Sequence, residues 1–417
     1  MERHRLRLPF AVVATVVAAA AATFALRPRT GLIEPVAVEP TAYFSGAQLE
    51  RAEAYRGPQR ALGVAGIAVS GGALALIALR PPRPLRRALE RAGRQPLAGG
   101  AAVGSGLSVA VAMVTLPLDA VAHARAVDVG LSTQGFGAWL GDVAKAGLVG
   151  AALAGAGSAI ALLVLRRFPR RPWIPGAAAA VAVSAAFVFL SPLLLAPIFN
   201  RFEPLQPGPL RSEVLDLARR AGVDVGEVLR VDASRRTTGT NAYVGGLGRT
   251  KRVVLYDTLI ERFPPEQVRS VVAHELAHVR YRDLPHGLLW LAIVAPPAVF
   301  LAQVLAERFL RGVRPGESGL PATPAALPAY ALALALVSFA VGLASNPLSR
   351  AVEARADTFA LRLTHEPAAF IGLERSLAVT NVSEPDPPRA WQVLLGTHPT
   401  TVERIGFGLA FARASGR

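Results

Sequence analysis

Seven apolar runs punctuate the chain, at 9–26, 61–79, 97–116, 146–165, 174–198, 284–305 and 327–343. Each is long enough, or nearly so, to cross about 30 Å of hydrocarbon at about 1.5 Å of helix per residue. The first follows the basic start MERHRLR and ends in small residues, as a cleaved signal peptide would; its apolar stretch exceeds the usual signal core, which favours a span. Pro296 and Pro297 in the sixth run predict a kink or a break there.

Polar pattern returns between the fifth and sixth runs. RSEVLDLARRAGV (211–223) has helical spacing of Val214, Leu215, Leu217 and Ala218 against arginines, and predicts an amphipathic helix. EVLRVDAS and KRVVLYDTLI read as strands, with TNAYVGGLGRT between them as a third short strand and a Gly-rich turn. FPPEQVRSVVAHELAHVRYRD reads as a helix entered through Pro264 and Pro265. After the seventh run, NPLSRAVEARADTFALRLT (346–364) predicts a second helix with Asn346 as N-cap and Pro347 at its first position. A last helix begins at HPTTVERI. The expected division is therefore 1–198 with five spans, 199–283 as a soluble insert with a small sheet, 284–345 with two spans, and 346–417 as a C-terminal helical part.

Composition agrees with membrane residence: 52% of the 417 residues are hydrophobic and 18% charged. The net charge of +16 raises the question of nucleic acid. The arginines answer it, because they cluster at the ends of apolar runs, as in RPPRPLRRALERAGR (80–94) and RRFPRR (166–171), where they anchor helices to a lipid bilayer. No basic stripe with interleaved aromatics accompanies them, so no nucleic-acid partner is expected. The chain has no cysteine, which excludes disulfides, thiol nucleophiles and thiolate ligands. Any metal must be held by histidine and carboxylate.

Such a set exists in VVAHELAHVRYRD. On a helix, His274 and His278 share a face with Glu275 beside them, the HExxH pattern of zinc hydrolases. Zinc, one per chain, would take a third protein ligand and leave its fourth position to a water that attacks a peptide carbonyl, with Glu275 accepting the proton. The bland reading is a helix with two surface histidines. The metzincin extension is excluded, since Tyr281 and Leu284 stand where its Gly and His would be. The remaining candidates are Glu307, Glu317, Glu353, Glu366 and Glu374. Glu353 stands out because Asp357 follows at i+4, placed to hydrogen-bond an imidazole N–H. Its bland alternative is a solvated acidic face paired with Arg350 and Arg355.

These pieces, together with APIFNRFEPL (196–205), TNAYVGGLGRTKRVVLYDTLI (240–260), NPLSRAVEARADTFAL (346–361) and HPTTVERI (398–405), resemble the type I CAAX prenyl protease family of integral membrane zinc metallopeptidases, which has bacterial members. The resemblance covers much of the chain from Ala196 onward; the earlier runs match in number and hydrophobicity alone. It implies His274, His278 and Glu353 as zinc ligands and Glu275 as general base. It also implies that Asn241, Ala242 and Tyr243 form an edge strand for substrate, that His398 steadies the tetrahedral oxyanion, and that Arg404, a nearby arginine, is catalytic with it. His398-Pro399 could equally do no more than open a helix. The fold class expected is an all-α membrane protein of about seven transmembrane helices carrying a zincin-like α+β metallopeptidase domain, and the resemblance implies that the spans enclose a water-filled chamber with the site facing inward.

The function expected is that of a membrane-embedded zinc endopeptidase of the cell membrane. It would cut membrane-associated proteins or peptides. A signalling protease that cleaves a regulator and a non-catalytic membrane scaffold are the alternatives. Nothing indicates a prenyl pocket, and a composition rich in Ala and Arg with Lys145 and Lys251 as its lysines suits a high-GC bacterial genome, so membrane-protein quality control is preferred to CAAX processing. Oligomeric state is left open. Orientation is contested: the basic clusters put the N-terminus in the cytoplasm and the insert outside, whereas the resemblance implies a cytoplasmic site.

Overall fold

The computed structural model describes residues 2–246, 251–313 and 322–416. Seven helices among these are long and apolar enough to cross a membrane. They are α1 (Glu2–Leu26), α2 (Gly46–Leu79), then, after the short α3 (Arg83–Ala92), α4 (Pro96–Asp128), α5 (Phe136–Arg167) and α6 (Trp173–Leu194), which runs on into the single turn α7 (Ala196–Phe199). A small sheet and three helices intervene: β1 (Phe202–Pro204), α8 (Pro209–Arg220), β2 (Glu227–Val231), β3 (Ala242–Gly245), β4 (Arg252–Tyr256), α9 (Asp257–Arg262) and α10 (Pro265–Arg280). The last two spans are α11 (Asp283–Val313) and α12 (Leu327–Thr364), followed by α13 (Pro367–Thr380), α14 (Arg389–Leu395) and α15 (Thr401–Ala414). The protein is thus a multi-pass, mostly helical membrane protein with a small sheet, as the hydrophobic pattern predicts. Glu317 and the end of the Gly-rich turn, Gly248 included, lie outside the described residues.

The helices overrun the apolar runs. α2 starts at Gly46 and α4 continues to Asp128 because their polar ends pack on one another: Arg125 donates to the Ala54 carbonyl at 2.8 Å and Gln59 to that of Ala122 at 3.1 Å. No break occurs at Pro296 and Pro297; α11 is helical throughout, flanked by α1 and α6, whose packing holds the chain where proline removes a hydrogen bond. α12 likewise passes without interruption through Asn346 and Pro347. Asn346 is no N-cap: its side chain donates to the Leu394 carbonyl at 2.6 Å. KRVVLYDTLI is strand only to Tyr256, since the buried Asp257 accepts from Ser234 N and Oγ at 2.9 and 2.6 Å and turns the chain into α9.

Close approach holds the spans together. A Cβ on Gly155 of α5 would lie 2.5 Å from Ser105 Oγ and 3.1 Å from the Ala101 carbonyl of α4, so only glycine lets these backbones meet. α1 is packed into the bundle through the buried Ala11, Ala19 and Ala22. Between α2, α4 and α12 lies a cavity of about 840 Å³, mostly apolar but reached by Gln59, Thr115 and Asp119.

The sheet runs β1-β2-β4-β3, with β2 parallel to β4 and both outer pairs antiparallel. The strands β2 and β4 alternate buried Val228, Val253 and Leu255 against α8 and α10, which contribute Val214, Leu217, Val268, Val272 and Leu276 to one core. Side chains of this size stabilise by about 1.5–3 kcal/mol each when buried, enough to fix α10 against the sheet.

The spans' ends fall into two groups. On the insert side, the chain after α1 meets α12 and α15 through Ile33 N to Thr358 Oγ1 (3.1 Å) and Val36 N to the Gly406 carbonyl (3.3 Å). The α4–α5 turn bonds there too, through Thr238 N to the Leu131 carbonyl at 3.0 Å. At the other end Arg7 of α1 pairs with Glu307 of α11 at 3.0 Å, and Leu162 and Leu165 of α5 pack on Leu327 of α12.

Candidate metal centre

The centre is built on α10 and α12. α10 starts at Pro265, whose missing N–H belongs to the unpaired first turn, and buries Val272, Ala273, Leu276 and Ala277. That burial turns the opposite stripe, His274 and His278, toward α12. Two carboxylates fix the rings. His274 Nδ1 lies 2.8 Å from Asp357 Oδ1, and His278 Nδ1 lies 2.9 Å from Asp283 Oδ2. A carboxylate only accepts, so each Nδ1 carries its proton and each Nε2 is left to face a ligand.

The two Nε2 atoms are 3.3 Å apart. Glu353 Oε2 is 3.2 Å from that of His274, and Oε1 is 3.8 Å from that of His278. Three groups that accept and cannot donate to one another therefore converge, an arrangement that demands a cation. Without a metal, a proton takes that place. Burial lowers the His274 pKa, but hydrogen bonds to Asp357 and Glu353 outweigh it and raise it to about 10. Glu275 brings its carboxylate within 4.8 Å of the His274 and His278 nitrogens. Burial raises its pKa above the ordinary carboxylate value, in the direction a general base needs.

Asp357 is fully buried and holds more than the imidazole. Arg404 of α15 donates to its Oδ2 through Nε at 2.8 Å and contacts Oδ1 with its second nitrogen, while a third lies 2.9 Å from Glu374 Oε2. Arg404 thus sits behind His274. α15 is aimed by a capping box in which the Thr400 and Glu403 side chains each accept from the other's backbone N–H. His398, just before this cap, places Nε2 3.6 Å from Glu353 Oε2 with 60% of its side chain exposed. Its ring is steadied by Thr397 Oγ1 at 2.9 Å from Nδ1.

The acidic pairings of the bland reading are not found. Arg350 donates to the Gln392 and Gly396 carbonyls, and Arg355 pairs with Asp283. Of the other carboxylates considered as a third ligand, Glu307 pairs with Arg7, Glu366 with Arg269 and Glu374 with Arg404. Asn241, Ala242 and Tyr243 enter β3, the sheet's edge, next to α10. The Asn241 carbonyl accepts from Tyr256 N at 3.1 Å and its side chain from Ala242 N at 2.9 Å. Ala242 is 2% exposed, so this strand presents backbone rather than that side chain. Sequence reasoning misses Asp283; Arg282, at φ 56°, reverses the chain after α10 and brings Asp283 back onto His278. It also offers Glu374 as a ligand and not as the partner of Arg404.

Residues 204–407 match the profile of peptidase family M48. A metalloprotease of Bacillus subtilis (strain 168), YhfN, is 30% identical over 304 residues, covering 72% of this chain and 70% of that protein. The chain belongs to peptidase family M48. This M48 protein is accordingly a metalloendopeptidase. It is also similar to a CAAX prenyl protease 1 homolog of Oryza sativa subsp. japonica, 30% identical over 234 residues that make up 54% of this chain and 52% of the plant protein. The crystal structure of S. mikatae Ste24p superposes with a TM-score of 0.78 at 19% identity, over 97% of this chain and 99% of that one, and so shares its fold.

Proposed function

We propose that this M48 peptidase is a zinc endopeptidase of the cell membrane that hydrolyses peptide bonds in membrane-associated proteins or peptides. The observation that carries the reading is the convergence of His274 Nε2, His278 Nε2 and Glu353 on one point, each imidazole held from behind by a carboxylate. Tetrahedral zinc with nitrogen ligands at about 2.0–2.1 Å spaces them by about 3.3 Å, and the two Nε2 atoms stand 3.3 Å apart. The donor set, two neutral imidazoles and a carboxylate with no thiolate, is that of a catalytic site and not of a structural one.

In this reading His274, His278 and Glu353 hold the metal, which when bound supplies a Lewis acid for the carbonyl and acidifies water. Glu275 takes the proton from the attacking water and delivers it to the leaving amine. His398, exposed beside Glu353, donates to the developing oxyanion. Arg404 neutralises Asp357, which orients His274. β3 receives an extended peptide along its free edge, with Asn241 and Tyr243 flanking the first pairing position. The catalytic unit joins the insert, 199–283, to the C-terminal part, 346–417.

Purified protein should hold about one zinc per chain and cleave an unfolded fluorogenic peptide in detergent. The Glu275→Gln variant should keep its zinc and lose cleavage by at least about 100-fold; cleavage at the parent's rate would overturn the mechanism.

A further inference from the structure

The end of the bundle remote from the metal centre carries a concentration of arginine that the chemistry does not use. α3 lies along this end, with Leu89 buried against the bundle and Arg83, Arg86, Arg87 and Arg91 exposed; Arg80 and Arg94 flank it, also exposed. The turn from α5 to α6 adds the four exposed arginines of RRFPRR. Among the described residues none of these ten has a carboxylate partner in an ion pair. Short connections at the metal-centre end differ. The one after α1 (27–45) balances Arg27 and Arg29 with Glu34 and Glu39, and the one from α4 to α5 (129–135) has neither Lys nor Arg.

This contrast bears on orientation. Arginine in short loops is retained on the cytoplasmic side, whereas a long insert such as 199–283 crosses largely regardless of its charge. α3, with one apolar edge on the bundle and guanidinium groups outward, has the form of a helix lying at an anionic headgroup layer. We propose that the arginine-rich end docks on the anionic cytoplasmic leaflet, so that the metal centre opens on the opposite, non-cytoplasmic side. If the endopeptidase reading above holds, its substrates are then translocated polypeptides and the outer segments of membrane proteins, the reverse of the cytoplasmic site implied by the family resemblance.

The absence of cysteine makes the test direct. Single-cysteine variants Asp224→Cys, exposed near the sheet, and Arg87→Cys, exposed on α3, are expressed in cells or spheroplasts and treated with a membrane-impermeant maleimide. Asp224→Cys should label in intact cells and Arg87→Cys only after permeabilisation. Replacing Arg83, Arg86, Arg87 and Arg91 by Glu in the Asp224→Cys background should make at least half of the molecules inaccessible from outside. Labelling of Arg87→Cys in intact cells, alone or together with Asp224→Cys, overturns the proposal, as does an unchanged labelled fraction in the charge-reversed variant. Peptide cleavage by the solubilised parent is read separately, so a failed orientation and a failed catalytic reading are told apart.

Discussion

Replacing Asp357 by asparagine keeps the shape of the side chain and removes its charge. Both oxygens are engaged, one by His274 Nδ1 at 2.8 Å and the other by Arg404 Nε at 2.8 Å. The amide can accept on one side only, so its NH₂ must face a donor on the other. Loss of an outer-shell partner typically weakens metal affinity about 10–100-fold, equivalent to about 1.4–2.7 kcal/mol. Arg404 keeps Glu374 at 2.9 Å, so the accompanying loss of stability should fall toward the lower end of the roughly 3–5 kcal/mol seen when one partner of a buried pair is removed. Affinity is read by competition with a chelator of known strength, and stability from the unfolding midpoint of metal-free protein in detergent. The two effects separate in the Glu374→Gln variant, which leaves the Asp357–His274 contact in place and should bind metal within about threefold of the parent whatever its effect on the unfolding midpoint. Should Asp357→Asn bind metal as tightly as the parent, His274 is not oriented by Asp357 and the argument for the centre's construction fails.

Further outcomes follow from the same contacts. Burial pushes the Glu374 carboxyl up to about 7 against the attraction of Arg404. Because the folded state then holds a proton that the unfolded chain releases near 4.5, stability contributed by this group falls as pH rises from about 4.5 to about 7 and does not return above it. The unfolding midpoint of metal-free protein should accordingly depend less on pH across that window in Glu374→Gln than in the parent; parallel pH curves would reject this. Gly155→Leu should force α4 and α5 apart and lower stability by about 1–3 kcal/mol, read as an earlier thermal transition in detergent, and a parental transition would show that the close approach is not needed.

How much of the molecule is legible in its sequence depends on whether contacts are local. His274, Glu275 and His278 lie on one helical stripe, and Glu353 and Asp357 on another, so 3.6-residue spacing alone is enough to assemble each group. Asp283 is only five residues beyond His278, yet a left-handed residue at Arg282 separates them, and helical spacing cannot carry through such a turn. Glu374 meets Arg404 through the packing of α13 on α15, a long-range contact with no periodic signal. The proline readings fail for a related reason. Asn346-Pro347 has the composition of a helix start, and only the neighbouring α14, whose Leu394 carbonyl takes the Asn346 amide, shows why the helix continues. The seven spans are visible because lipid-facing surfaces are apolar, and their polar extensions are not, because those face protein.

The continuity of α12 has a consequence for where the enzyme can act. The same 38-residue rod spans the bundle and carries Glu353 and Asp357, a length of about 57 Å at about 1.5 Å per residue. Within α12 no linker separates the membrane-crossing part of the helix from Glu353 and Asp357. The proposed metal centre is therefore tethered at a constant height above the span, and under the endopeptidase proposal a bond would be cut only where bilayer depth and chain extension bring it to that level. Under that proposal, selection of substrate would in this respect be a matter of reach, set by geometry before any side chain is recognised.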